Sequence, residues 1–190
     1  MRRLTEARAV DRVFIMLGAA MTALLLVGGC LGWYGYHFAT TMVTNELSSQ
    51  KVFFPPKGSP ALQALPAEDQ AAMNKYAGQQ LVNGDQAKVY ADHFIGVHLQ
   101  EVAGGQTYSQ VSAAAMANPK DAKLQTQKAV LFQGETLRGL LLGDGYSYWT
   151  FGMIAKYVAF AAFAGAAVMA VLVALGVHHL SGLKSTRRRR

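Results

Sequence analysis

Two stretches stand out from an otherwise mixed succession of polar and apolar positions. From Val13 to Tyr36, and again from Tyr157 to Val177, no side chain carries a charge. A helix needs about 20 apolar residues to cross the hydrocarbon of a bilayer. Each run meets that length, so the pattern predicts transmembrane helices over 13–36 and 151–178.

Between them the pattern changes to helical spacing broken by turn residues. Lys51-Val-Phe-Phe-Pro-Pro-Lys-Gly-Ser-Pro60 is proline-broken, and 37–66 reads as a connector. From Ala67 to Val82, acidic residues open a helix that places Met73, Tyr76, Ala77 and Leu81 on one side. Asp85 is expected to cap a second helix running to Ala103, with Gly104-Gly105 as its stop. A shorter helix spans Ser109 to Ala117 and ends at Asn118-Pro119. Asp121 then caps a long helix reaching Leu142, and Gly143-Asp-Gly145 is expected to break it. The competing reading of the middle segment is a small mixed domain with a hairpin at Val82-Asn-Gly-Asp85. The fold class expected is therefore an all-α membrane protein, with two transmembrane helices flanking a small, mostly helical extracytoplasmic domain (residues 37–150, its helices within 67–145).

Charge fixes an orientation. The net charge of +7 over 190 residues suggests a nucleic-acid partner until it is divided by segment. In 1–12, Arg2, Arg3, Arg8 and Arg12 against Glu6 and Asp11 leave +2; in 179–190, Lys184 and Arg187 to Arg190 give +5. Residues 37–150 carry eight basic and nine acidic side chains, hence −1, and Lys156 supplies the remaining +1. Short basic segments stay in the cytoplasm, so both termini are expected inside the plasma membrane and 37–150 outside. The lipid bilayer, not nucleic acid, is the partner that the basic ends imply. Trp33, Tyr34, Tyr36 and Phe38 close the first run, and Tyr146, Tyr148, Trp149 and Phe151 open the second, as an outer aromatic belt. Lys156 beside Tyr157 is placed to snorkel.

Small residues give both runs a packing role. Gly28 and Gly32 with Ala19 and Ala23 form one ladder, and Ala162, Ala166 and Ala170 with Ala161 and Gly165 form another. They suit each other, a second copy or a larger membrane complex. The single cysteine, Cys30, lies in the first run, so no intramolecular disulfide can form. Leu26-Val-Gly-Gly-Cys30 also fits a loose lipobox, which would make Cys30 a lipidation site after signal cleavage. The helix-like continuation Leu31-Gly-Trp-Tyr-Gly-Tyr-His37 favours an uncleaved span.

Candidate chemistry is concentrated in Asp92-His-Phe-Ile-Gly-Val-His-Leu-Gln-Glu101. On an α-helix His98 and Glu101 lie about 60° apart and can meet, whereas His93 projects about 140° away from His98. His98 with Glu101 is expected to face the bundle as a polar pair, the weak candidate for a metal site. Lys88, Asp92, His93 and Gln100 are expected on the solvent side. No Gly-rich phosphate loop and no recognisable Ser, His and Asp set occur, so neither a catalytic residue nor a cofactor site is expected. His37 and the pair His178-His179 read as interfacial residues. Glu135 and Arg138, i and i+3, form a helix-surface ion pair close to the membrane junction and a candidate contact for a partner.

The strings His98-Leu-Gln-Glu-Val-Ala-Gly-Gly-Gln-Thr-Tyr-Ser-Gln-Val111 and Phe132-Gln-Gly-Glu-Thr-Leu-Arg-Gly-Leu-Leu-Leu142 resemble a group of uncharacterised two-span membrane proteins from actinobacteria. The similarity covers most of the chain from Ala39 onward and implies location and architecture. Some members carry a ring-opening dioxygenase label; such iron enzymes need two histidines and a carboxylate on one ion, which the angle between His93 and His98 does not offer. Three functions follow as expectations. The first is a non-enzymatic accessory or scaffold subunit of a cell-envelope membrane complex. The second is an extracytoplasmic ligand-binding or sensing module that signals through a partner, and the third a metal-dependent enzyme using His98 and Glu101.

Overall fold

The computed structural model describes the backbone of residues 2–188 and the side chains of residues 9–181. The terminal charges Arg2, Arg3, Glu6, Arg8, Lys184 and Arg187 to Arg190 therefore lie outside the described side chains. Helices dominate: α1 (Arg2–Ser49), α2 (Pro60–Gln63), α3 (Ala67–Asn74), α4 (Gly84–Tyr90), a first π turn (Ala91–Ile95), α5 (Gly96–Ala103), α6 (Tyr108–Ala117), α7 (Ala122–Leu140), a second π turn (Leu141–Ser147) and α8 (Tyr148–Arg188). Among the described residues no strand forms, and the one bridge pairs Phe53 with Gln80. Two helices, within Ala9–Ser49 and Ala122–Ser181, are long and apolar enough to cross a membrane. The chain divides into two compact units, one made of residues up to His37 and from Met153 onward, the other of Phe38–Gly152.

In the first unit α1 and α8 run antiparallel, because Gly18 abuts Val173, Gly29 abuts Phe163 and Gly32 abuts Ala159 and Ala155. The less exposed positions follow a period of 3.5: Ile15, Gly18, Thr22, Leu25, Gly29 and Gly32 on α1, and Ala155, Ala159, Ala162, Ala166, Met169 and Val173 on α8. That period keeps one seam facing the partner helix along the whole contact. It corrects the expected small-residue ladders, which step by four. Gly32, Ala162 and Ala166 lie on the seam, whereas Ala19, Ala23, Gly28, Ala161 and Ala170 face outward.

The second unit is built on two clusters. The larger packs Val43 and Leu47 of α1 with Phe54, Leu62, Leu65, Met73, Leu81, Ala87, Ala91 and Leu141. The smaller joins Leu99, Ala103, Val111 and Leu131 of α5, α6 and α7. Several expectations change here. Residues 37–49 belong to α1 and not to a connector, since Ala39, Val43 and Leu47, four apart, are buried and repay helical geometry. The helix then stops where Lys51 turns left-handed (φ 55°) and the Gln80 side-chain amide donates to the Ser48 carbonyl at 2.8 Å. The helix begun at Ala67 ends at Asn74, not Val82, and Gly78 (φ 73°) turns the chain so that Leu81 N–H reaches the Val52 carbonyl at 2.9 Å. Met73 and Leu81 are buried as expected, though Leu81 sits on an extended segment.

Val82-Asn-Gly-Asp85 starts a helix and makes no hairpin. Asn83, in place of Asp85, is its cap, its side-chain oxygen accepting from the Gln86 N–H at 3.0 Å. Gln86 is buried and in turn accepts from the Val82 N–H at 2.8 Å. The caps at Thr107 and Asp121 follow the usual side-chain-to-backbone pattern, Thr107 and Gln110 closing a capping box.

Gly143-Asp-Gly145 does not break the helix. The chain passes through it as the second π turn; Gly145 serves a close approach, whereas Gly143 faces open space. A Cβ on Gly145 would lie 3.0 Å from the Ala87 Cβ, and one on Gly84 would lie 2.1 Å from the Trp149 Cβ and 2.9 Å from the Gly145 carbonyl oxygen. Backbone thus meets backbone where α4 docks on the second π turn. Trp149, one of the residues expected in the outer aromatic belt, is consequently half-buried against the core of this unit.

Replacing Gly84 by Ala is expected to destabilise the Phe38–Gly152 unit by about 1–3 kcal/mol through overpacking. Gly139, exposed on α7 with open space around it, should gain up to about 1 kcal/mol from the same replacement because a helical glycine loses backbone entropy. Denaturant unfolding of the two variants in detergent, side by side, checks the contrast.

Candidate functional site

The first π turn decides which side chains meet. One extra residue in the turn sets everything downstream back by roughly 100° relative to a continuous α-helix. Leu99 is thereby brought into line with Ala91 and is buried, while His98, which unbroken α-helical spacing would align with Ala91, is turned outward and exposed. The expected His98–Glu101 pair does not form. His98 Nδ1 lies 2.7 Å from the Phe94 carbonyl oxygen of its own helix and its ring rests 4.6 Å from the Phe94 ring; Glu101 is exposed.

The opposite correction applies to Asp92 and His93, expected at the solvent side. His93 Nδ1 sits 2.7 Å from Asp69 Oδ1, joining the π turn to α3. Its side chain is 32% exposed and that of Asp69 19%. A carboxylate on one ring nitrogen fixes the orientation of the imidazole.

Asp92 is held from two helices. Lys88 Nζ donates to Oδ2 at 2.6 Å from one turn earlier, and the Arg138 guanidinium donates to Oδ1 at 3.1 Å from α7. Arg138 also keeps its expected Glu135 partner, at 3.6 Å. The Arg138 Nε is buried without a hydrogen-bond partner, close over Gly96, where a Cβ would come within 3.5 Å of it. Burial by itself would push the Asp92 carboxyl up, but the bonds from Lys88 and Arg138, and their charges, together hold it below the ordinary carboxylate value. The Asp92 bond raises the Lys88 ammonium in return, and Lys88 also lies 5.3 Å from the Tyr146 ring centre. Burial raises the Tyr90 phenol. The i, i+4 spacing of Lys88 and Asp92 is a signal of their pairing that the solvent-side reading did not use; the arrivals of Arg138 and Asp69 from other helices carry no local signal.

The remaining candidates stay apart. In the first unit Trp33, Tyr36 and His37 cluster, with ring centres 4.9 Å apart for Trp33–His37 and for Tyr36–His37, and Lys156 Nζ lies 5.0 Å over the Tyr36 ring. Cys30, His178 and His179 are exposed. Among the described residues no group of three or more His, Cys, Asp and Glu could hold a metal ion.

A groove of about 360 Å³ opens on the Phe38–Gly152 unit between α1, the end of α7 and the second π turn. Val43, Leu47, Leu137 and Leu141 make its walls, and Glu46 and Asp144 bring two carboxylates to it. Compared with protein-family models, with curated proteins and with solved structures, the chain has no match in any of the three.

Asp92→Asn tests the electrostatic knot. A carboxyl lowered by folding contributes stability that is present above its unfolded value, near 3.8, and is lost as pH falls through the lower folded value. The variant is expected to lose under about 1 kcal/mol at pH 7, given the solvent around the site, and to converge with the native protein below that window. Unfolding curves from pH 2 to 8 read both effects, and Arg138→Met should reproduce part of the loss.

Proposed function

We propose that the chain is an integral membrane protein whose α1 and α8 span the plasma membrane, with both termini cytoplasmic and residues 37–150 outside, and that it serves as an accessory or scaffold subunit of a larger cell-envelope membrane complex. One observation carries the membrane reading. In the first unit the outward faces of both helices are apolar almost throughout, with Phe14, Leu17, Leu24, Leu31, Val168 and Leu175 each more than half exposed. A soluble chain rarely leaves so large a contiguous apolar surface to water. Lys156, the single charge near the start of the second run, rests on Tyr36, which reduces its cost near hydrocarbon.

The subunit reading is supported by what the α1–α8 seam leaves over. The outward alanines Ala167, Ala170 and Ala174 recur at spacings of three and four on α8, and Ala19 and Ala23 do so on α1. Small residues off the intramolecular seam let a further helix approach closely.

Two measurements test the proposal. In a Cys30→Ser background, cysteines placed at Lys75 and Lys120 should react with a membrane-impermeant maleimide on intact cells, and one at Lys184 only after lysis; the reverse pattern overturns the orientation. Purified in mild detergent, the protein should elute with a stoichiometric second membrane protein, lost on Ala170→Leu with Ala167→Leu. A lone monomer in both cases overturns the subunit reading.

A further inference from the structure

We propose that the groove between α1 and the second π turn binds a single-chain amphiphile with a cationic amine head. The inference draws on the proposed membrane setting only for the source of the ligand, since the groove belongs entirely to the Phe38–Gly152 unit.

Size, wall chemistry and charge each narrow the occupant. A volume of about 360 Å³ lies at the low end of small-molecule sites. A groove of that size suits a small, flexible ligand. Its walls are aliphatic and already formed. Val43 and Leu47 are buried by the fold, and Leu137 and Leu140 are 44% and 54% exposed along the opposite side. The charged residues in the lining are Glu46 and Asp144, both exposed and neither engaged by a basic side chain among the described residues. Arg138, the nearest basic group in sequence on α7, is committed to Asp92 and Glu135. Gln50 and Tyr148 add neutral hydrogen-bonding groups at the rim. An apolar trough bordered by two unneutralised carboxylates is complementary to an alkyl chain ending in an ammonium and repels an anionic head. The lining segments 42–50 and 137–148 also adjoin the two apolar runs in sequence, where a bilayer would supply such a molecule.

The test uses the full chain in zwitterionic nanodiscs and, in parallel, in nonionic detergent. Three photoreactive C12 probes, an amine, an alcohol and a sulfonate, are crosslinked and mapped by peptide mass spectrometry. The amine is expected to label peptides containing 42–50 and 137–148, to be competed by dodecylamine, and to exceed the sulfonate at least about tenfold. E46Q with D144N should lower amine labelling about fivefold while leaving alcohol labelling unchanged, as expected for two partly solvated ion pairs. Leu140→Trp, a change at an exposed position that fills the trough, should abolish both. Equal labelling by the three probes, insensitivity to E46Q with D144N, or labelling elsewhere overturns the proposal. So does a second copy in the groove, seen as 46-to-144 crosslinked dimers that dodecylamine does not dissolve. Failure to enter nanodiscs counts against the membrane reading alone, because the detergent arm still reports the groove.

Discussion

The Phe38–Gly152 unit depends on one close approach: the start of α4 laid against the second π turn at Gly84 and Gly145. With no side chain at either position the two backbones come near enough for Ala87 to touch Gly145 and for Trp149 to lie over Gly84. That contact carries Leu141 into the cluster with Val43, Leu47 and Ala87. It binds segments more than fifty residues apart in sequence, so loop closure across the intervening helices is repaid only when this packing forms. Methyl groups at these two positions would separate the elements and open the core along its length, which is why Gly145, which looks like a helix breaker, lies inside a continuous helix.

The π turns are the second constraint. Each adds one residue to a helical turn and so changes which face the following residues present. At Ala91–Ile95 this lets one helix keep a single buried side from Ala87 through Ala91 to Leu99 and Ala103, a run of alanine and leucine that a strict α-helix would spread around its surface. The polar consequence is as large. Asp92 and His93 project from the widened turn toward α7 and α3, and both find charged partners there. Partly exposed ion pairs of this kind contribute little singly, yet these two fix the turn from both sides, with the Arg138 side chain crossing beside Gly96.

Much of the helical architecture was legible in the sequence, because long apolar runs, the cap at Asp121, and stops at Gly104-Gly105 and Asn118-Pro119 are local signals. The failures share a physical cause. Residues 37–49 look polar and loop-like until Ala39, Val43 and Leu47 are seen to face a core supplied by distant segments. The Asn83 cap competes with a hairpin signal of the same letters, and only Gln86, buried and bonded back to Val82, settles it. The site reversed for one reason: a helical wheel assumes 3.6 residues per turn, and a single π turn between Ala91 and Ile95 invalidates every angle drawn across it. His98 was assigned to the interior and Asp92 and His93 to solvent by the same arithmetic; His98 is exposed, and Asp92 and His93 are half-buried against α7 and α3.

The first unit shows the limit of reading small residues as such. Ladders of glycine and alanine at four-residue steps assume that close contact follows the i, i+4 rows, but a long antiparallel pair that stays in contact needs a 3.5 period. Gly28 and Gly29 are neighbours of identical chemistry, yet Gly29 faces the Phe163 ring, with no room for a Cβ, and Gly28 faces open space. A small residue opposite a large one is a fitted contact; a small residue facing outward has no such partner within the pair. Gly29 and Gly32 are therefore accounted for by the α1–α8 seam, whereas Ala19, Ala23, Ala167 and Ala170 are not. The distinction turns an undifferentiated excess of small residues into two sets, one fitted to the α1–α8 seam and one left outside it.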